Sequence, residues 1–136
     1  MFVVQLVARL NDGGPARVIR QLAQALRSDG HRVLVVHGSP PEHEADLSPR
    51  LIADGISCTR LPHFGPAIDP LADLRASAAL LRLLRAQAPD LLHSHTAKAG
   101  LLGRACAALL GMPCLHSYHG HVLRGYFSPR TSRLLL

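Results

Sequence analysis

Residues 2–16 read FVVQLVARLNDGGPA. Phe2 to Ala8 is an apolar run interrupted only by Gln5, which is typical of a strand buried on both faces of a parallel sheet. Residues 11–14 predict a turn, and Pro15 is well suited to the first position of a helix. Together they predict a buried strand, a glycine-containing turn and a helix, which is the repeating unit of a parallel α/β domain.

The same alternation continues along the chain. Further strands are predicted at residues 33–36, 56–61, 91–95 and 112–118, and helices at residues 15–29, 47–54, 70–88 and 97–110. The apolar residues predicted to face the core are Val18, Ile19, Leu22, Ala23 and Leu26 on the first helix, Leu71, Leu74, Ala78, Leu81 and Leu84 on the third, and Leu102, Ala105, Cys106 and Leu109 on the fourth. We therefore expect an α/β fold, a Rossmann-like parallel sheet flanked by helices, in one domain spanning residues 1–136.

The composition indicates a globular protein in a reducing compartment. The chain has 136 residues, of which 48% are hydrophobic, and this is enough for a core of Leu, Val, Ile and Ala. Its three cysteines form no C-x-x-C pair and are odd in number, which favours free thiols over a disulfide framework. No run approaches the ~18–20 apolar residues of a membrane span, and no basic leader precedes the first strand. We expect a cytoplasmic protein.

The charge is basic, with a formal net charge of +6 from fourteen arginines and the single lysine Lys98. The arginines are spread along the chain and aromatic residues are scarce, so the stacking surface of a nucleic-acid-binding protein is missing. We predict no nucleic-acid partner. A basic surface is compatible with a peripheral contact with anionic lipid at the inner face of a membrane, although charge alone does not establish it.

Candidate site residues follow the carboxyl ends of the predicted strands, where ligands bind in doubly wound sheets. Gly13 and Gly14 follow the first strand and leave free N–H groups at a helix start, which suits a phosphate or diphosphate. A tight turn that binds nothing is the alternative. The dinucleotide pattern G-x-G-x-x-G and the Walker pattern are both absent, which disfavours dehydrogenases and nucleotide hydrolases.

Two His-x-His pairs, residues 93–95 and 119–121, end the fourth strand and follow the fifth. They could bind zinc, but no carboxylate or thiol is placed to complete such a site, so we predict no metal. The alternative is that some histidines bond to neighbouring loops while one faces the substrate, and we choose His119 because Gly120 permits an exposed turn. Thr96 is predicted to cap the fourth helix. Lys98 is predicted to contact a phosphate or sugar hydroxyl, or else to be a solvated lysine.

Four segments together resemble the amino-terminal domain of family 4 glycosyltransferases, in a subgroup with bacterial surface-polysaccharide members. They are VARLNDGGPAR at residues 7–17, GHRV at residues 30–33, PDLLHSHTAKAGLLGR at residues 89–104 and YHGHV at residues 118–122. The resemblance covers almost the whole chain, and the last two segments are its most specific part.

The resemblance implies the amino-terminal half of a GT-B fold that transfers a hexosyl group from a nucleotide sugar to a saccharide or lipid-linked acceptor. It also implies retention of anomeric configuration without a metal or other cofactor. Gly13 and Gly14 would lie against the donor diphosphate, and His119 would be the catalytic residue. His95, Thr96 and Lys98 would contact the acceptor or a phosphate.

The nucleotide-sugar-binding carboxyl-terminal domain is expected beyond the end of this sequence, because Leu134 to Leu136 begin an apolar segment with nothing to pack against. Residues 1–136 alone are therefore expected to be inactive. Two alternatives remain open. One is a non-catalytic α/β binding module, which could bind a metal through the His-x-His pairs. The other is a GT-B-fold epimerase that acts on the sugar nucleotide itself.

Overall fold

A computed structural model describes residues 1–119 of the chain and shows a five-stranded, entirely parallel sheet with helices on both faces. The predicted Rossmann-like α/β fold is confirmed. In chain order the elements are β1 (Phe2–Val7), α1 (Gly14–Ser28), β2 (Arg32–His37), α2 (Ser48–Ala53), β3 (Ser57–Arg60), α3 (Pro70–Gln87), β4 (Leu91–His95), α4 (Ala97–Leu110) and β5 (Cys114–Ser117).

β1 is the central strand of the sheet, whose order is β3-β2-β1-β4-β5. All six of its residues are buried, as the apolar run predicts. Val7, the last residue of β1, lies opposite His37 at the end of β2 and opposite His95 at the end of β4. The chain moves outward from β1 in one direction as far as β3 and then crosses back to β4. The strand order therefore reverses between β1 and β4, at the sheet's carboxyl edge.

The two faces of the sheet carry separate apolar cores. Val4 and Leu6 of β1 lie in the core formed with α3 and α4. Val7 lies in the core formed with α1 and α2, where it is joined by Ile19 and Leu51. Since side chains alternate along a strand, β1 contributes to both cores at once. Among residues 1–119, no helix is long and apolar enough to cross a membrane.

The predicted core stripe of α3 is wrong for three of its five residues. Leu71 and Leu74 are 58% and 68% exposed and Ala78 is also exposed, whereas Ala76, Leu80 and Leu84 are buried. Leucines occur around most of this helix, so periodicity does not decide its orientation. Two contacts with α4 do: Asp73 pairs with Lys98, and the Cys106 thiol lies 3.7 Å from the Ser77 carbonyl oxygen.

Similar corrections apply to the other long helices. Val18 of α1 and Leu109 of α4 are 43% and 73% exposed, and Ala105 is exposed as well. Small residues face the sheet instead, because the backbone of α4 approaches it closely. A methyl group at Gly100 would overlap the His116 ring, and one at Gly103 would lie 3.2 Å from Leu6 and Ser94. These contacts explain why α4 contains two glycines that weaken helix formation.

Gly38, directly after β2, is the point at which the loops after β1, β2 and β3 meet. Its N–H donates to the Val7 carbonyl at 3.1 Å, and the N–H of Ser39 donates to the Phe64 carbonyl at 3.0 Å. A methyl group on Gly38 would overlap the carbonyl oxygens of Ala8 and Phe64, both of which are backbone atoms. The backbone segments after β1 and β3 therefore lie too close to Gly38 for any side chain at this position.

We expect Gly38→Ala to lower the free energy of unfolding by about 1–3 kcal/mol or more, because two backbone segments must separate to admit the methyl group. Gly65→Ala is the matched control, since a methyl group there meets only the Ser39 carbonyl oxygen, at 3.6 Å. Urea unfolding followed by circular dichroism measures both. Equal midpoints for the two variants would contradict the close approach at Gly38.

Candidate functional site

The candidate site is the crevice at the carboxyl edge of the sheet, between β1 and β4. Gly13 and Gly14 follow β1, Thr96 follows β4, and His119 follows β5. These three strands are neighbours in the sheet. His95 at the end of β4 lies opposite Val7 of β1 and Ser117 of β5. Ligands bind at such a reversal of strand order because the two adjoining loops diverge and leave an opening.

The start of α1 forms one wall of this crevice. Gly14 is the first helical residue, Gly13 occupies the N-cap position, and no side chain caps the helix. No acidic residue lies in the first turn. Gly14 is exposed, and a methyl group added to it would meet no atom within 4 Å. The positive end of the helix dipole is therefore uncovered at a glycine, an arrangement suited to an anion.

Thr96 occupies the N-cap position of α4 but does not cap it as predicted. Its hydroxyl accepts no hydrogen bond from the helix and, within residues 1–119, is buried without a partner. Its backbone has φ 70° and ψ 159°, a region otherwise populated mainly by glycine. A β-branched residue held there costs about 1–3 kcal/mol, and such strain is concentrated at functional sites. Thr96 thus carries strain directly beside the crevice.

Histidines from β4 and from the segment after β5 contact one another beside Thr96. Nδ1 of His95 lies 2.8 Å from Nε2 of His119, and the two rings are stacked with centroids 5.1 Å apart. Nε2 of His93 lies 2.8 Å from the hydroxyl oxygen of Ser117. The ring centroids of His93 and His95 are 4.1 Å apart. The segment after β5 is therefore joined to β4 by histidine contacts.

These histidines are neutral at pH 7. Burial, together with the neighbouring His93 and His119, lowers the pKa of His95 to about 3. Burial is also the main cause that lowers the pKa of His93 and of His119. A neutral imidazole offers one N–H donor and one lone pair. The cluster can therefore orient a ligand by hydrogen bonds, whereas the charge on a diphosphate must be stabilised by other groups.

Lys98 is neither solvated nor free. Its ammonium group lies 2.5 Å from Oδ1 of Asp73, and its side chain is only 12% exposed. It also donates to the Ala67 carbonyl oxygen in the loop between β3 and α3. Lys98 and this loop line an open cavity of about 310 Å³ together with Phe64 and Ala72. The lysine thus holds the β3–α3 loop against α4 at the edge of the crevice.

The Glycosyl transferase 4-like domain matches residues 13–136 of the chain. The chain belongs to this family. The match includes Gly13, Gly14, Thr96, Lys98 and His119, the predicted site residues around the crevice.

One curated relative is an Escherichia coli enzyme named UDP-Gal:alpha-D-GlcNAc-diphosphoundecaprenol alpha-1,3-galactosyltransferase. It is 34% identical over an alignment of 68 residues, with 49% of this chain and 18% of the enzyme covered. Among solved structures, Anabaena HepE in complex with UDP superposes with a TM-score of 0.72 at 21% identity, covering 99% of this chain and 34% of HepE.

A UDP-GlcNAc 2-epimerase from Neisseria meningitidis, solved with UDP-GlcNAc bound, gives a TM-score of 0.70 at 15% identity. The superposition covers 99% of this chain and 38% of the epimerase. At these identities the solved structures show the fold alone. The chain spans well under half the length of each of these relatives.

The structure brings the predicted residues to one sheet edge but gives them different surroundings. His95 has no exposed surface, and Nδ1 of its ring bonds to His119 rather than to solvent. The predicted contact of His95, Thr96 and Lys98 with an acceptor or phosphate stays a prediction, as does the catalytic role of His119.

The proposed metal alternative depends on two His-x-His pairs, and His121 of the second pair lies outside the described residues. Within residues 1–119, no three His, Cys, Asp or Glu side chains are grouped so that they could hold a metal ion.

Three residues important to the site's geometry were not predicted. Asp73 pairs with Lys98 from another helix, Gly38 lies where three loops meet, and Ser117 bonds to His93. Asp73 and Ser117 are separated from their partners by more than twenty residues in sequence. Gly38, by contrast, could have been found, because a glycine directly after a buried strand often marks close backbone approach.

We expect acid to destabilise the fold through His95. Its folded pKa is about 3, against an ordinary value of 6.5. Between these values the unfolded chain binds a proton that the folded chain does not. The free energy of unfolding therefore falls by about 1.4 kcal/mol per pH unit from this residue alone as pH decreases below 6.5.

His95→Asn should remove that contribution and flatten the dependence, whereas His43→Asn, at an exposed histidine, should not. Urea unfolding at about pH 7 and about pH 5 measures the difference. Identical pH dependence in wild type and His95→Asn would contradict the neutral, buried state of His95.

Proposed function

We propose that the protein transfers a sugar from a nucleotide-sugar donor to a saccharide or lipid-linked acceptor, in the biosynthesis of a bacterial surface polysaccharide. The observation that carries this proposal is the crevice of the glycosyltransferase 4-like domain. It combines an uncapped helix start at Gly14, the strained Thr96 and a neutral, half-buried His119 at the edge where the strand order reverses. Retention of configuration is part of the proposal and rests on the resemblance to family 4.

The proposed donor is a UDP-sugar. The Escherichia coli relative is named for UDP-Gal, and HepE was solved with UDP. First-turn N–H groups of α1 would bind the diphosphate, because the helix begins without a side-chain cap and points its positive dipole end into the crevice. Stabilising the charge that develops on the departing diphosphate would be the main catalytic contribution.

His119 is proposed to hydrogen-bond the reacting sugar. It lies two residues beyond β5, at the same edge as Gly14, and its imidazole is neutral because burial lowers its pKa. A neutral ring can donate to, or accept from, a sugar hydroxyl without a change of charge. The groups that bind the nucleotide are proposed to lie outside residues 1–136, since the matched solved chains are much longer. Residues 1–136 alone are therefore proposed to be inactive.

The test uses the full-length protein with a panel of nucleotide sugars, beginning with UDP-Gal, and a GlcNAc-diphosphate-lipid acceptor. We expect turnover with one donor, and a loss of about 100-fold in kcat for His119→Ala, as for other groups that bond to the reacting centre. His31→Ala is the control, because His31 precedes β2 at the opposite edge of the sheet. Full turnover in folded His119→Ala would remove His119 from the mechanism.

An epimerase is the second candidate, because the epimerase from Neisseria meningitidis shares this fold. The two functions differ in what happens without an acceptor. An epimerase converts the free sugar nucleotide, whereas a transferase leaves its sugar unchanged or hydrolyses it slowly. Analysis of the nucleotide sugar after incubation with the full-length protein alone distinguishes them, and a new epimer would replace the transferase proposal.

A peripheral contact with an anionic membrane is also proposed, and the structure offers a surface for it. Ile68, just before α3, and Leu71 and Leu74, in its first turns, are exposed large aliphatic residues, here named the α3 apolar patch. Arg75 is exposed beside them. Because α3 follows the carboxyl end of β3, the patch lies at the same sheet edge as the crevice. A bilayer bound there would present a lipid-linked acceptor to the crevice, and the net charge of +6 favours anionic lipid.

We expect the full-length protein to co-sediment with phosphatidylglycerol-containing vesicles and more weakly with phosphatidylcholine alone. Leu71→Ser with Leu74→Ser should lower binding at least about tenfold, because each buried leucine contributes roughly 1.5–3 kcal/mol. Leu109→Ser is the matched control. Leu109 is also strongly exposed, at 73%, but it lies near the carboxyl end of α4, away from the sheet edge that carries the α3 apolar patch. Binding that is independent of anionic lipid, or equally reduced in both variants, would contradict this surface.

A further inference from the structure

The bond between His95 and His119 joins a rigid strand to a more exposed segment. His95 ends β4, which is paired with β1 on one side and β5 on the other, and its side chain has no exposed surface. His119 lies beyond the end of β5 and is half-buried. With 2.8 Å between Nδ1 of His95 and Nε2 of His119, the fully buried ring holds the half-buried one. The orientation of His119 is therefore set from within the sheet.

This bond also restricts where the two rings carry their hydrogens. Both imidazoles are neutral, because burial lowers the pKa of each. A bond between two neutral imidazoles contains one N–H and one lone pair. If Nδ1 of His95 donates, His119 must carry its hydrogen on Nδ1. If Nε2 of His119 donates, His95 must carry its own hydrogen on Nε2.

The surroundings of His95 favour the first arrangement. In the described part of the chain, Nε2 of His95 is buried and has no hydrogen-bond partner. The second arrangement would place an N–H at this atom with nothing to accept it, and buried N–H groups without an acceptor are rarer than buried acceptors without a donor. The first arrangement leaves only a lone pair there. His95 is therefore the donor, through Nδ1.

We propose that His95 is a positioning residue that holds His119 as the tautomer protonated on Nδ1, so that His119 acts on its ligand as a hydrogen-bond donor. The complementary ligand atom is an oxygen with a free lone pair, as in a sugar hydroxyl or a phosphate. His119 is then unavailable as a general base through Nδ1, since that atom already carries its proton. The inference rests on the proposed function only for the identity of the ligand.

The first test reads the tautomer directly and needs no substrate. In the full-length protein labelled with ¹⁵N-histidine at neutral pH, long-range proton–nitrogen correlation distinguishes protonated from unprotonated ring nitrogens. We expect His119 to be protonated on Nδ1 and unprotonated on Nε2. The His119 signals are assigned as those that are missing from the His119→Gln variant. Protonation of His119 on Nε2 in the wild type would overturn the proposal.

Variants of His95 separate positioning from folding. His95→Asn keeps an N–H donor near the place of Nδ1, whereas His95→Leu has similar bulk and no donor. We expect the His119 tautomer to be retained in the asparagine variant and to become mixed in the leucine variant. His93→Asn is the matched control, because His93 is a buried histidine on the same strand that bonds to Ser117 instead. An unchanged His119 tautomer in folded His95→Leu would overturn the proposal.

The kinetic test applies once a donor is known. We expect His95→Leu to lower kcat about tenfold with little change in the donor KM, the effect of one misplaced hydrogen bond, and His95→Asn to recover most of it. If His119→Ala keeps full turnover, the proposed role of His119 in sugar transfer is wrong, while the tautomer measurement remains valid. If the tautomer is as expected but His95→Leu keeps full kcat, the positioning role is overturned.

Discussion

The pairing of β1 on both sides is the constraint on which the rest of the structure depends. Its peptide groups are buried on both faces, and buried peptide groups must be hydrogen-bonded, so β2 and β4 have to lie alongside it. Their registers place Val7, His37 and His95 at one level. The crevice begins at that level because the chain leaves β1 on one side and returns on the other. The bonds that hold the sheet together therefore also position the candidate site.

The site is where the fold departs from an ordinary apolar core. Gln5, His93 and His95 are buried on the same face of two neighbouring strands, and Thr96 follows in a strained backbone conformation. Burying polar groups and holding such a conformation both cost free energy. The opposite face of the same strands is mainly apolar, since Val4, Leu6 and Leu92 pack there against α3 and α4. Its buried polar residue Ser94 donates a hydrogen bond to the Leu115 carbonyl oxygen. Apolar cores on both faces supply stability, and the buried side chains of His93 and His95 lie beside the crevice.

The order and type of the elements could be predicted because they depend on local signals. The apolar run of β1, the turn that follows it and Pro15 at the start of α1 all act within a few residues. The structure places the elements within one or two residues of the predictions. The orientation of the helices could not be predicted in the same way. Leucines surround α3, so the hydrophobic pattern allows several inward faces, and the pair formed by Asp73 and Lys98 selects one.

What the sequence by itself determined is the parallel α/β architecture and the edge at which Gly13, Gly14, Thr96 and His119 meet, because strand order and loop position follow from the alternation of elements. Only the tertiary structure decided the surroundings of each side chain. It buries His95 against His119, joins Lys98 to Asp73 and brings two backbone segments onto Gly38. The physical reason is that these contacts join residues more than twenty positions apart, whose distance is fixed by sheet register and close helix approach rather than by any local pattern.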